Sequence, residues 1–339
     1  MKLIVEAPVA AGLLRSERSE TIMVACLVVR ERFGINERGL LALPDEMSQA
    51  AIRVDAVDRL EFGELPPDEI PPRTGTDVMV LGDAVCPAPT IATRVEVHVG
   101  EYHLALDVFG DRVWEGAGGA LMPSNPTPFS SMPITYANAF GGAAEGEYGP
   151  IPWYMNPTGK GYFIKSGEAK GKALPNVELA ASRIKAWDDK PPPAGLAPYP
   201  AIWGLKWERY LEVKGDQEDV EIHPERGMYD RAHPLLTGKN VVPGPMKILG
   251  MSTRPMLFDV PECAVDVVIT VGPTEVTRSL ELEEILVDTR QATVEFAWRK
   301  MFRYEFVPHQ RRQARVIQRK TPPGRPTSAF TAGPNATAR

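Results

Sequence analysis

The chain has 339 residues, 43% hydrophobic and 24% charged, with a net charge of −6; this is globular composition and excludes a chain disordered throughout. Proline is the outlier at 33 residues, and because its ring removes a donor and clashes inside helices, that density excludes a helical bundle or coiled coil. Residues 311–339 carry seven Lys or Arg and no acid, so the −6 splits into +7 there and −13 on residues 1–310; an acidic body disfavours nucleic acid as a partner.

The opening string MKLIVEAPVAAGLL imitates a secretory leader, but Glu6 and Pro8 interrupt its apolar stretch. The longest apolar run, Thr21 to Val29, is far too short to span a bilayer, so no membrane association is expected. Alternation or β-branched runs predict strands at 21–30, 50–57, 77–82, 94–99, 102–109, 265–271, 276–287 and 292–299. Val265, Val267, Ile269 and Val271 share one face of a strand, as do Val294, Phe296 and Trp298. No window sustains a 3.6-residue apolar stripe. The expected fold is mainly β: antiparallel, sandwich-like sheets with few short helices, in one large domain over residues 1–310.

The sharpest local expectation is a hairpin at 94–108. Gly100-Glu101 suits a two-residue type II′ turn with Gly first. Facing residues then have numbers that sum to 201. Val99 meets Tyr102, Val97 meets Leu104 and Val95 meets Leu106 on an apolar face; Arg94 meets Asp107 and His98 meets His103 on the other.

Residues 115–204 hold GAGGALMPSNPTPF, FGGAAEGEYGPIP, NPTGKGYF and PPPAGLAPYP, with Trp153, Tyr154, Tyr162, Phe163, Trp187 and Trp203 embedded. So long an irregular stretch is functional or disordered, and the aromatics argue for order. It reads as loops packed on the sheets or as a partner-binding surface. Residues 311–339 read as a basic flexible tail, removable without loss of the fold.

The chemistry of catalysis is sparse. Cys26, Cys86 and Cys263 have no zinc or redox spacing, which points to buried thiols in a reducing cytoplasm. Gly159-Lys160 and Gly171-Lys172 lack the P-loop frame, and Gly116 and Gly118 are followed by Leu121 where a dinucleotide fingerprint needs glycine. His98 and His103 imitate a metal site, but zinc needs a third protein ligand and none is evident nearby. His223 and His233 have no identifiable partner. Asp188-Asp189 and Glu283-Glu284 read as surface charge. No metal or cofactor is expected.

Several ordered strings are distinctive: TDVMVLGDAVCP (76–87), VFGDRVW (108–114), FSSMPITYANAFGG (129–142), NPTGKGYF (156–163), LPNVEL (174–179), AHPLL (232–236) and LVDTRQATVEFAWR (286–299). In this order they resemble the domain-of-unknown-function family 2169, over residues 10–305. The resemblance implies an adaptor or chaperone of bacterial type VI secretion. Its partners would be a toxic effector and a spike protein of the valine-glycine-repeat or PAAR type. The chain departs from the family at VVPGPMKILGM (241–251), where an acidic turn is usual.

Physical roles follow for the motif residues. Gly82, Gly110, Gly141 and Gly142 suit positive φ or close backbone approach. Asp111 and Arg112 suit an ion pair that fixes the turn into Trp114. Trp114, Tyr136 and Phe140 suit aromatic burial. Asn156-Pro157 suits a turn, with Gly159 and Gly161 beyond it, and Asp77 belongs to the first motif as a structural residue. Tyr154, Lys160, Tyr162 and Phe163 are the candidates for protein contact. The alternatives to an adaptor are a hydrolase with its site in the 115–204 loops and a structural component of the secretion apparatus.

Overall fold

In the computed structural model, the structure describes residues 1–17, 21–42, 50–68, 73, 75–117, 120–199, 230–238 and 241–319. The architecture is mainly β. Helix among the described residues is confined to Ser166–Ala169 and to single 3-10 turns at Leu60–Phe62, Tyr136–Asn138 and Pro234–Leu236. None is long and apolar enough to cross a membrane.

Three sheets share the main core. The largest has the order Thr237–Gly238, Thr76–Leu81, Glu281–Asp288, Thr293–Glu305, Ile22–Ile35, Ala10–Glu17, with Leu41–Ala42 added to Ile22–Ile35. Thr76–Leu81 is buried along its whole length, as a strand covered on both faces must be, and it runs parallel to Glu281–Asp288. The second sheet is antiparallel, in the order Val177–Leu179, Tyr102–Phe109, Ala92–Val99, Gly244–Leu249, Met256–Val260. The third runs Lys2–Val5, Arg312–Gln318, Val265–Val271, Thr274–Ser279.

The expected alternation holds where apolar residues repeat. Val294, Phe296 and Trp298 are at most 2% exposed. The hairpin has the expected register at every pair, and Gly100 has φ +55°, as the first position of a type II′ turn requires. The stretch predicted at 276–287 is divided at Leu280 into Thr274–Ser279 and Glu281–Asp288. The strand predicted at 50–57 reduces to Val57–Asp58. The backbone N–H of Arg53 donates to Asp68 Oδ2 at 2.8 Å and its guanidinium reaches Glu284, so side-chain ion pairs hold this segment instead of a ladder.

The tail expectation fails at its start. Arg312–Gln318 lies between Lys2–Val5 and Val265–Val271, with Ala314 and Val316 fully buried. Its apolar alternation is only two residues deep and hidden among arginines. Those arginines meet the acidic body: Arg319 Nη2 lies 3.0 Å from Asp266, and Arg315 faces Glu6 at 3.9 Å. Residues 320–339 lie outside the described residues.

Candidate functional site

The motif strings between residues 108 and 179 contribute to a knot of short ladders and turns among the described residues of 110–199, with its own aromatic core. Trp114, Leu121, Phe140, Tyr162, Leu174 and Ile184 are buried together, with Trp153, Phe163 and Trp187 packed against them. Phe140 meets Trp153 edge-on at 5.8 Å and Tyr162 at 6.4 Å. Tyr136 packs edge-on against Tyr199 at 4.9 Å, and burial drives its hydroxyl well above the ordinary phenol range.

Asn156 ties the knot. It is fully buried, and its Nδ2 donates to Tyr136 O at 2.8 Å and Phe140 O at 2.9 Å. Its own carbonyl accepts from Gly142 N. Pro157 and Thr158 complete the turn, with Thr158 Oγ1 donating to Asn156 Oδ1. A Cβ at Gly141 or Gly159 would collide with Asn156, one at Gly142 with Gly159 O, and one at Gly161 with Pro175. Gly82 has φ +145° and its missing Cβ leaves room for Thr289 Oγ1; Gly110 lies against Thr127 O.

The expected Asp111–Arg112 pair does not form. Neighbours in extended chain point apart. Arg112 instead bonds Pro175 O at 2.6 Å and Glu178 at 2.5 Å, over the ring of Phe109, while Asp111 Oδ1 accepts from Asn176 Nδ2 at 3.1 Å. Lys160 is turned inward: its Nζ donates to Asn138 and Asn176, and burial lowers its pKa against the pull of Asp111. Asp77 lies outside the knot. It is fully buried and accepts from Arg231 N and Thr237 Oγ1 while facing Arg73; burial outweighs these partners and raises its carboxyl to about 6.

Among the four contact candidates the structure therefore separates roles. Tyr162 is core, Lys160 is a crosslink, and Phe163 is half-buried against the core. Tyr154 is exposed beside Trp153. Other exposed groups of the same segment carry no motif signal: Met122, Ile151, Ile164 and, above all, Tyr148, which is 96% exposed. Tyr148 stands in the turn between the paired strands Ala143–Gly146 and Gly149–Pro152. EGEYGP is a Gly-flanked hairpin turn, the one signal that marks it.

Two further findings correct the reading of charged residues. Glu283 and Glu284 are buried. A bulge between Leu282 and Glu284 lets both reach Arg73: Glu283 Oε1 accepts its backbone N–H at 3.1 Å, and Glu284 Oε2 its Nη2 at 2.8 Å. Burial alone would raise the Glu284 carboxyl, but Arg30, Arg53 and Arg73 outweigh it and hold it well below the usual range. Glu96 supplies a third group beside His98 and His103, with the ligand atoms of all three within 4.8 Å of one another. His233 caps the Pro234–Leu236 turn through Nδ1, and burial lowers it to about 4; His223 lies outside the described residues. A groove of about 420 Å³ is lined by residues between Ile269 and Gln310 and includes none of the knot.

The sequence model of the family described as "Uncharacterized protein conserved in bacteria (DUF2169)" matches residues 20–299. No curated protein and no solved structure matches the chain.

Proposed function

The chain belongs to the DUF2169 family of uncharacterised bacterial proteins, and from that premise we propose that it acts by binding, as a cytoplasmic adaptor that holds a type VI secretion effector and helps load it onto the spike protein. The secretion setting rests on the resemblance of the ordered motifs. The binding mode rests on the surface: the turn that carries Tyr148 at 96% exposure sits on a knot stiffened by Asn156 and the aromatic core. That projecting aromatic group carries the reading. Aromatic side chains held by a rigid scaffold lose little entropy on docking and dominate interface energies. Tyr154 adds a second exposed aromatic group. The proposal assigns no catalytic role to the chain.

Copurification from the native cell, with identification of the bound protein, tests it. Tyr148→Ser and Tyr154→Ala together should lower effector recovery ~30-fold or more, with unchanged circular dichroism. Full recovery by the folded double variant would remove this surface from the hypothesis. Turnover of a glycan or peptide by the isolated chain would favour the hydrolase reading. A stable homo-oligomer without effector would favour a structural component.

A further inference from the structure

The outer face of the Ala92–Val99/Tyr102–Phe109 hairpin carries an arrangement with no role in the binding reading above. The Gly100-Glu101 turn sets His98 opposite His103. Period-two alternation puts Glu96 on the same face as His98. The two imidazoles stack with centroids 4.0 Å apart and planes 16° from parallel. Glu96 Oε2 lies 3.1 Å from His98 Nε2 and 4.0 Å from His103 Nε2. Beneath them Val95, Val97, Val99 and Leu104 are buried, so the backbone positions of all three groups are anchored by the core. A tetrahedral ion with bonds of ~2.1 Å spans ligand atoms ~3.4 Å apart, within small side-chain rotations of what is found.

We propose that Glu96, His98 and His103 form a site for one borderline divalent cation, of which Zn²⁺ is the type, with a coordination position left open to solvent. Two imidazoles and one carboxylate select such ions over Mg²⁺ and Ca²⁺, which take all-oxygen sets. Three protein ligands with an exposed fourth position is an open site, not a closed structural one. The ion would join the two strands of the hairpin. Lys247 stands opposite His98 on the next strand, Gly244–Leu249, so its ammonium shares this face and opposes the cation. Arg94 also lies on this face, but Asp107 engages its guanidinium at 2.9 Å.

The test uses the full chain without an affinity tag, stripped with chelator, titrated with ZnCl₂ by calorimetry. One ion per chain should bind with Kd of about 10 μM or tighter, and saturating Zn²⁺ should raise Tm. His98→Asn and His103→Asn should each weaken binding at least tenfold, and Glu96→Gln by a similar factor, with circular dichroism unchanged. Lys247→Met should tighten binding several-fold, a response that scattered surface histidines would not give. No binding at 100 μM Zn²⁺, or an isotherm that survives both histidine changes, would overturn the site.

Discussion

Asn156 takes the place of a strand partner: one side-chain amide satisfies two buried carbonyls, Tyr136 O and Phe140 O. Asn156→Ala takes a donor from each, leaving Tyr136 O the backbone N–H of Ala139 at 3.2 Å, and should cost about 2 kcal/mol, measured by urea denaturation. Tyr162 and Tyr154 look alike in sequence and differ in consequence. Tyr162→Ala opens the second core and should cost about 3 kcal/mol, against about 1 kcal/mol or less for Tyr154→Ala. Glu31 gives a pH signature. It stands opposite Phe296 on Ile22–Ile35, and burial alone raises its carboxyl from 4.5 to about 7. The folded state then holds the proton more tightly than the unfolded state. Its contribution is therefore most favourable below pH 4.5, and stability is lost as pH rises through 7. Glu31→Gln should add about 2 kcal/mol at pH 8, and the gain should shrink as pH falls below 7 and vanish near 4.5. A gain that is flat across this range would show that Glu31 titrates normally.

At the scale of elements, the hairpin and the Arg312–Gln318 strand make opposite lessons. The hairpin was legible because a turn signal, an apolar face and a charge pair all demanded one register. Its weak point is Gly100: a Cβ there meets nothing within 4 Å, yet φ is +55°. Gly100→Ala should therefore cost about 1–2 kcal/mol from backbone strain alone, and Gly100→Asn less, as seen in thermal melts. Arg312–Gln318 was not legible. Its inward residues are Ala314 and Val316, and the remainder apart from Ile317 is basic or polar. It fills the place between Lys2–Val5 and Val265–Val271, so ending the chain at Arg311 exposes two strand edges and empties the Ala314 and Val316 sites. The truncated chain should show a large drop in Tm or fail to fold cooperatively. An unchanged melt would mean that this strand contributes nothing.

Across the whole molecule, a buried ion cluster joins distant parts of the chain. Arg30 is held by Asp68 at 2.7 Å and Glu284 at 2.9 Å; Arg53 and Arg73 also reach Glu284, at 2.7 and 2.8 Å. Such a cluster adds little net stability over an apolar core, but removing one member strands the others. Glu284→Gln leaves three buried guanidinium groups without their shared carboxylate and should cost about 3–5 kcal/mol, far more than Glu281→Gln on the exposed end of the same strand. Equal melting temperatures for the two variants would contradict the central role of Glu284.

The sequence by itself determined the β class, the hairpin register, the inward faces of Val265–Val271 and Thr293–Glu305, and the identity of the aromatic and Asn156 motifs. Each of these is written in spacing along a few residues, where alternation and turn chemistry act locally. Tertiary structure alone decided that Glu283 and Glu284 face inward, that Arg112 pairs with Glu178 and not Asp111, and that Tyr148 projects from the surface while Tyr162 is core. It also decided that Glu96 joins His98 and His103 and that Arg312–Gln318 completes a sheet. Most of these outcomes depend on neighbours tens to hundreds of residues away, and the rest on a bulge, a side-chain orientation or exposure. A charged residue carries no local mark of whether a partner will arrive to allow its burial.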